Sequence, residues 1–251
     1  MTPADTFSVA QGKPRERIAG RQSWRHLFFL HWSMAPEILA SALPAPLHLD
    51  TWEGLAYVGI VPFQMQRIRP AWLPAVCGLN FLETNVRTYV THRGQPGVYF
   101  FSLDANSHLA VNVARWQWGL PYYFAHMTCA RQNQRFVYES RRPTQTADTR
   151  FELQIADELG ESHPNTLEYF LLERYYLFVE RRGTLWSGHV QHVPYPAYRA
   201  DVLASTQTLV EAAGLPPTNR PPDLAHYSPG VDVQVFRHSG PACCERIRHQ
   251  Q

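Results

Sequence analysis

Residues 80–104 read NFLETNVRTYVTHRGQPGVYFFSLD. Side chains two apart on a strand share a face. From Glu83 that spacing lines up Glu83, Asn85, Arg87 and Tyr89 on one side, with Thr84, Val86, Thr88 and Val90 on the other. The second set suits a half-buried sheet surface. A carboxylate, an amide, a guanidinium and a phenol in one row have the make-up of a polar pocket wall. The competing reading is a solvent-facing stripe beside a Glu–Arg pair. Residues 92–97, HRGQPG, read as a turn, so 98–104 returns as an antiparallel partner. Tyr99, Phe101 and Leu103 share one face of that partner, and Phe100, Ser102 and Asp104 the other. Antiparallel partners stack side chains across the pair, so an aromatic wall beside the polar row is expected. Which face of the first strand looks inward stays open, because a one-residue shift of register reverses it.

Outward from this hairpin, residues 1–22 are polar and basic and read as a disordered arm, with 23–239 as a single domain and 240–251 as a flexible tail. Extended runs are expected at 51–68, 122–130, 135–141, 149–155, 174–180, 185–193 and 232–237. Short helices are expected at 35–43 and 166–172, and longer ones at 106–118 and 198–213. The 106–118 helix would carry its apolar stripe on Leu109, Val113 and Trp116. Many short strands with few helices predict an α+β fold. Its mostly antiparallel, curved sheet would close into a β-barrel-like body with a few peripheral helices.

At 251 residues with 45% hydrophobic and 13% aromatic content, the chain can bury a sizeable core. A net charge of +2 without a basic run gives no footprint for nucleic acid. There is no apolar stretch of membrane-spanning length and no signal-peptide core, so no membrane association is expected and the cytoplasm is the default compartment. Cys77, Cys129, Cys243 and Cys244 lack regular spacing and read as free thiols. His189 and His192 would point to opposite faces of a strand, and no metal site is expected. The sequence has no nucleophile elbow, dinucleotide fingerprint, P-loop or zinc-protease motif, so cofactor-free chemistry is the expectation. Lys13 is the only lysine, and it falls in the presumed arm.

Arg87 is the leading ligand-binding candidate, since its planar fork can hold a carboxylate. Glu83 would be its structural partner, or a general base if burial raises its pKa. Arg115 would reach the pocket mouth and Tyr122 would face inward. Glu173 and Arg174, adjacent on a strand, would take opposite faces, and a buried charge needs a partner. Glu173 with Arg87, or Arg174 with Glu83, are the expected pairings. His31 and His192 are candidate proton carriers, set against hydrogen-bonded structural roles. Asp104 is expected to cap the helix beginning near Asn106.

Several blocks resemble one family when taken together and in order: FLHW at 29–32, LNFLETNVRTYV at 79–90, PGVYFFSLDA at 96–105, LPYY at 120–123, LLERYYLF at 171–178 and YSPGVDV at 227–233. The chain is similar over roughly 24–238 to the YqjF-like family of uncharacterised bacterial proteins, which is grouped by fold with acetoacetate decarboxylase. The resemblance implies a barrel-like α+β domain with a central pocket. It does not imply decarboxylation, because fold does not fix function. Enzymes resembling acetoacetate decarboxylase form an imine on a buried lysine, and this chain offers only Lys13. The expectation is therefore a small organic acid held by Arg87, Asn85, Tyr89, Tyr99, Phe101, Arg115, Tyr122, Glu173 and Arg174. Glu83 or His192 would move protons if the protein is an enzyme. The alternatives are a non-enzymatic binding or sensing module, and a structural protein whose buried charges satisfy one another. Homo-oligomerisation stays open.

Overall fold

The computed structural model describes residues 17–236 except 119 and 182. Its strands and α-helices follow in chain order. They are β1 (Ile18–Met34), α1 (Pro36–Ser41), β2 (His48–Leu49), β3 (Ala56–Pro70), β4 (Leu79–His92) and β5 (Gln95–Ala105). Then come α2 (His108–Trp118), β6 (Tyr122–Phe124), β7 (His126–Gln132), β8 (Arg135–Arg141), β9 (Asp148–Glu161) and α3 (Leu167–Leu172). The last are β10 (Tyr176–Arg181), β11 (Thr184–Gln191), β12 (Pro196–Gln207), α4 (Leu209–Ala212) and β13 (Leu224–Phe236). No described helix is long and apolar enough to cross a membrane.

The strands form one sheet in the order β1-β3-β4-β5-β10-β11-β13-β12-β9-β8-β7, and β13 also pairs with β1. The sheet is mixed rather than antiparallel throughout, because β5 runs parallel to β10 and to β6. The expected barrel-like closure is also not regular. β11 meets β13 only at Val190↔Val235 and Gln191↔Gln234. Curvature comes from register shifts in the long strands, where His26 (φ 51°) and Arg67 (φ 52°) take left-handed backbone. Such bulges bend a strand and increase its twist. The amide of Arg67 is met by the Asn80 side chain at 2.7 Å.

The coiling makes two apolar layers. Inside the curve lie Phe29, Tyr57, Phe63, Tyr89, Phe100, Leu103 and Tyr195, with Phe170–Leu172 of α3 inserted among them. Outside it, Phe28, Leu30, Trp32, Ile60 and Val86 pack against Phe136, Tyr138, Phe151 and Leu153 of the returning strands β8 and β9. Strands β1, β3 and β4 are thus covered on both faces. This explains why both sides of the 83–90 row are buried.

The β4–β5 hairpin forms as expected, but its turn is shorter. It closes at Arg93 (φ 51°) and Gly94 (φ 77°), the positive pair that a two-residue hairpin turn needs. Gly97 lies inside β5 opposite Tyr176, where a Cβ would sit 2.5 Å from that residue's carbonyl oxygen.

Other expectations are corrected. β1 begins at Ile18, so 18–22 belong to the sheet and not to an arm; 1–16 and the tail lie outside the described residues. The run 198–213 is not a helix but most of β12 followed by the one-turn α4, because β12 pairs along the length of β9. Tertiary pairing outweighs its helical propensity there. α2 buries Val111 and Ala114, leaving Leu109 (57%) and Val113 (38%) exposed; the Trp116 side chain lies outside the description. α3 is capped by Thr166, whose hydroxyl accepts from the Tyr169 amide at 3.2 Å.

A buried arginine without a carboxylate

Glu83, Asn85, Arg87 and Tyr89 share the inner face of β4, and all are buried, from 0% exposed for Tyr89 to 9% for Arg87. Glu83 and Arg87 do not pair. Their positions on the strand are about 13 Å apart along the chain. They head two distinct clusters.

At the Glu83 end, Tyr122 donates to the carboxylate at 2.7 Å. Burial pushes the Glu83 carboxyl up to about 7, against hydrogen bonds from Tyr122 and the Asn85 side chain that pull it down. Arg115 is exposed and donates at 2.6 Å to the carbonyl of Tyr122, fixing the β6 start rather than lining a pocket mouth. Asp104 does not cap α2. Its carboxylate pairs with Arg142 at 2.6 Å, and both are buried. The Arg142 guanidinium also lies 3.9 Å from the Tyr123 ring centroid. The cap contact comes from Ser107, whose hydroxyl accepts from the Ala110 amide at 3.3 Å.

The expected aromatic wall is only partly right. Arg87 faces Phe100 and Val86 faces Ser102, so Phe101 is an extra residue in β5. That bulge reverses the alternation. Phe100 joins the inner core, while Phe101 packs outside on the second layer and Tyr99 packs with the Phe178 cluster; the Tyr99 and Phe101 ring centroids are 5.3 Å apart. Tyr99 and Phe101 therefore do not line the space around Arg87.

At the other end stand two arginines. Glu173 and Arg174 are not on a strand but follow α3, and both are buried, contrary to the alternation expected of them. Arg174 donates to Asp50 at 2.7 Å and to the Phe170 carbonyl at 2.8 Å. Glu173 accepts from the Tyr175 hydroxyl at 2.7 Å and the Tyr195 amide at 2.9 Å, and burial raises its pKa. Neither expected pairing, Glu173–Arg87 or Arg174–Glu83, forms.

Arg87 differs from the other two buried arginines. Among the described residues no carboxylate pairs with it, and its Nε has no hydrogen-bond partner. Its Nη2 donates to the Leu171 carbonyl oxygen at 3.2 Å, and the Tyr89 hydroxyl donates to the same oxygen at 2.8 Å. The guanidinium lies 5.3 Å from the Phe29 ring centroid and 5.8 Å from that of Tyr89. Because Tyr89 gives its one proton to Leu171, the His31 Nε2 at 2.6 Å must donate to the phenol oxygen. Burial, then His226 and Arg87, hold the His31 pKa well below its usual value, so the ring is neutral. Gly59 backs this pair, since a Cβ there would come within 3.2 Å of the His31 ring.

His192 sits beside the same group, its ring centroid 4.6 Å from Tyr195 and 4.8 Å from Tyr175. Two surface concavities, of about 360 and 340 Å³, lie elsewhere, at Ser33–Ile38 with 216–220 and at 141–148. The parts that sequence reading missed are Asp50, Tyr195 and the Leu171 carbonyl. Asp50 and Arg174 are 124 positions apart, and a backbone oxygen leaves no residue-type signal.

The profile of the family DUF2071, described as an uncharacterised conserved protein, matches residues 21–232. The uncharacterised protein YqjF of Bacillus subtilis (strain 168) is 35% identical over 215 residues, covering 85% of this chain and 88% of that one. Among solved structures, the enduracididine biosynthesis enzyme MppR complexed with pyruvate superposes with a TM-score of 0.62 at 13% identity, covering 93% of both chains. An acetoacetate decarboxylase-like enzyme from Sphingomonas wittichii RW1 gives 0.60 at 13% identity, covering 88% of this chain and 91% of that one. These two likenesses describe a common fold.

Proposed function

The chain belongs to the DUF2071 family and has an acetoacetate decarboxylase-like fold, and on that premise we propose that it holds a small organic acid inside the curve of the sheet, with the carboxylate on Arg87. One observation carries the reading. Among the described residues Arg87 is buried without a carboxylate, whereas Arg142 has Asp104 and Arg174 has Asp50. An unpaired interior charge is costly, and a bound anion removes that cost. Arg87 Nε, the buried N–H without a partner, is the group a ligand oxygen would meet, since Nη2 already donates to the Leu171 carbonyl. The MppR complex with pyruvate supports the class of ligand by analogy of fold alone.

Imine chemistry forms no part of this reading. The sole lysine, Lys13, lies outside the described residues, and an arginine does not form the imine at ordinary pH. Proton transfer at this site would fall to His192, since Glu83 stands a further four residues along β4. For Glu83, Glu173 and Arg174 the purely structural role is the better supported, because each has internal partners. Calorimetric titration of acids and their amides into wild type and Arg87→Gln tests the reading. Acids should bind wild type, amides should not, and the variant should lose about 10- to 100-fold in affinity. An Arg87→Gln protein that binds the acids as tightly as wild type refutes it.

A further inference from the structure

Arg87 and His192 are left with opposite needs. Arg87 Nε is a buried N–H with no acceptor, and His192 Nε2 is a buried nitrogen with no partner. The state of His192 follows from its other nitrogen. Nδ1 lies 2.7 Å from the Val193 carbonyl oxygen, which can only accept, so Nδ1 carries the hydrogen. Burial, with a contribution from the Arg87 charge, pushes the ring down to about 4. At neutral pH the imidazole is therefore uncharged and Nε2 presents a bare lone pair. The Arg87 charge acts on His192, and a run of ring contacts connects the two side chains. The His192 ring is 4.6 Å from Tyr195, Tyr195 is 5.3 Å from Phe29, and the Arg87 guanidinium is 5.3 Å from Phe29.

We propose that the ligand is a small hydroxy acid, its carboxylate on Arg87 and its hydroxyl donating to His192 Nε2. The inference rests on the anion reading above and narrows it. A keto oxygen would bring a second lone pair against Nε2, and an unsubstituted alkyl acid would leave Nε2 without a donor. Either leaves a buried acceptor unmet. An ammonium group could donate, but the interior already holds two guanidinium groups, 5.8 Å (Arg87) and 5.2 Å (Arg174) from the Tyr89 ring, and a third cation is repelled. Only a neutral donor meets both needs. His192 is then the residue that selects among acids, while Arg87 selects for them.

The test uses the full-length protein and two series of equal carbon skeleton. One is lactate, pyruvate, alanine and propionate; the other is 3-hydroxybutanoate, acetoacetate, 3-aminobutanoate and butanoate. Wild type should bind at least one hydroxy acid about tenfold more tightly than its oxo, amino and alkyl counterparts, the value of one hydrogen bond to a buried group. In His192→Phe that preference should fall to within about twofold while the alkyl acid binds as before. In Arg87→Gln every acid should weaken. If alkyl or oxo acids match their hydroxy counterparts and Arg87→Gln still weakens all of them, the anion site stands and the hydroxyl inference is overturned. If no acid binds, both fall. Should His192→Phe lose its fold by circular dichroism, the ¹⁵N resonance of His192 Nε2 in wild type replaces it. Lactate or 3-hydroxybutanoate must then shift that resonance, and propionate and butanoate must not; equal shifts overturn the proposal.

Discussion

Replacing Glu83 with glutamine removes an ionisation while keeping an oxygen for Tyr122 to donate to. In the folded protein the Glu83 carboxyl titrates near 7, against an ordinary value of 4.5. The folded state therefore binds a proton that the unfolded chain has released between those two values. Stability contributed by the neutral carboxyl is fully present below pH 4.5 and is lost as pH rises through 7. A displacement of that size corresponds to about 3 kcal/mol. The Glu83→Gln variant has no such slope. Urea unfolding of both proteins from pH 4 to pH 8.5 should give a stability difference that moves by about 3 kcal/mol in favour of the variant. In thermal unfolding of a domain this size the shift is roughly 6–12 °C. Other titrating groups largely cancel in the difference, provided Asp104, the one other carboxylate acting on Glu83, is unchanged. A difference that stays flat within about 0.5 kcal/mol across the range would show that Glu83 is ionised when folded, and the argument from burial would fail.

Two further substitutions probe the frame. Asp104→Ala strands the buried Arg142 and should cost about 3–5 kcal/mol by urea unfolding, much of it recovered in Asp104→Ala/Arg142→Met; a loss under about 1 kcal/mol would mean the pair is wet. Gly230 has φ 123° and a Cβ there would lie 2.0 Å from the Trp24 carbonyl oxygen, so Gly230→Ala should lose at least about 2 kcal/mol. Gly54→Ala, with φ 81° but open space around it, should lose only about 1 kcal/mol, and equal losses at the two positions would refute the steric argument.

The hairpin of β4 and β5 was legible because strict alternation met a two-residue turn with a glycine in it. β8 was legible from its alternation, its bounds matching the 135–141 run. The inward orientation of Glu83, Arg87 and Tyr89 was legible only as one of two choices, and Tyr89 in the inner core with Val86 in the outer one distinguishes them. What alternation could not carry was a change in its own phase. Phe101 shifts β5 by one residue, and no feature of VYFFSLD distinguishes a bulge from a regular strand. The 198–213 run failed differently: its alanines and leucines favour a helix locally, and only β9, some 50 residues earlier, makes it a strand. The ion pairs were hidden by the same long range. Arg174 finds Asp50, and Arg142 finds Asp104, across distances that spacing rules do not address.

The β10–β11 hairpin is stitched to itself from Tyr176↔His189 to Arg181↔Thr184, but it is fastened thinly to its neighbours. Towards β5 it has Tyr176↔Gly97 to Phe178↔Tyr99, and towards β13 only the pairs of Val190 and Gln191. A unit bound more strongly within than at its borders detaches as a whole before it unravels. This hairpin thus has the shorter backbone seams, while Phe178, Leu185 and Val190 anchor it in the apolar cores. Its trailing end runs directly into His192, so local opening of these seams would displace that buried side chain.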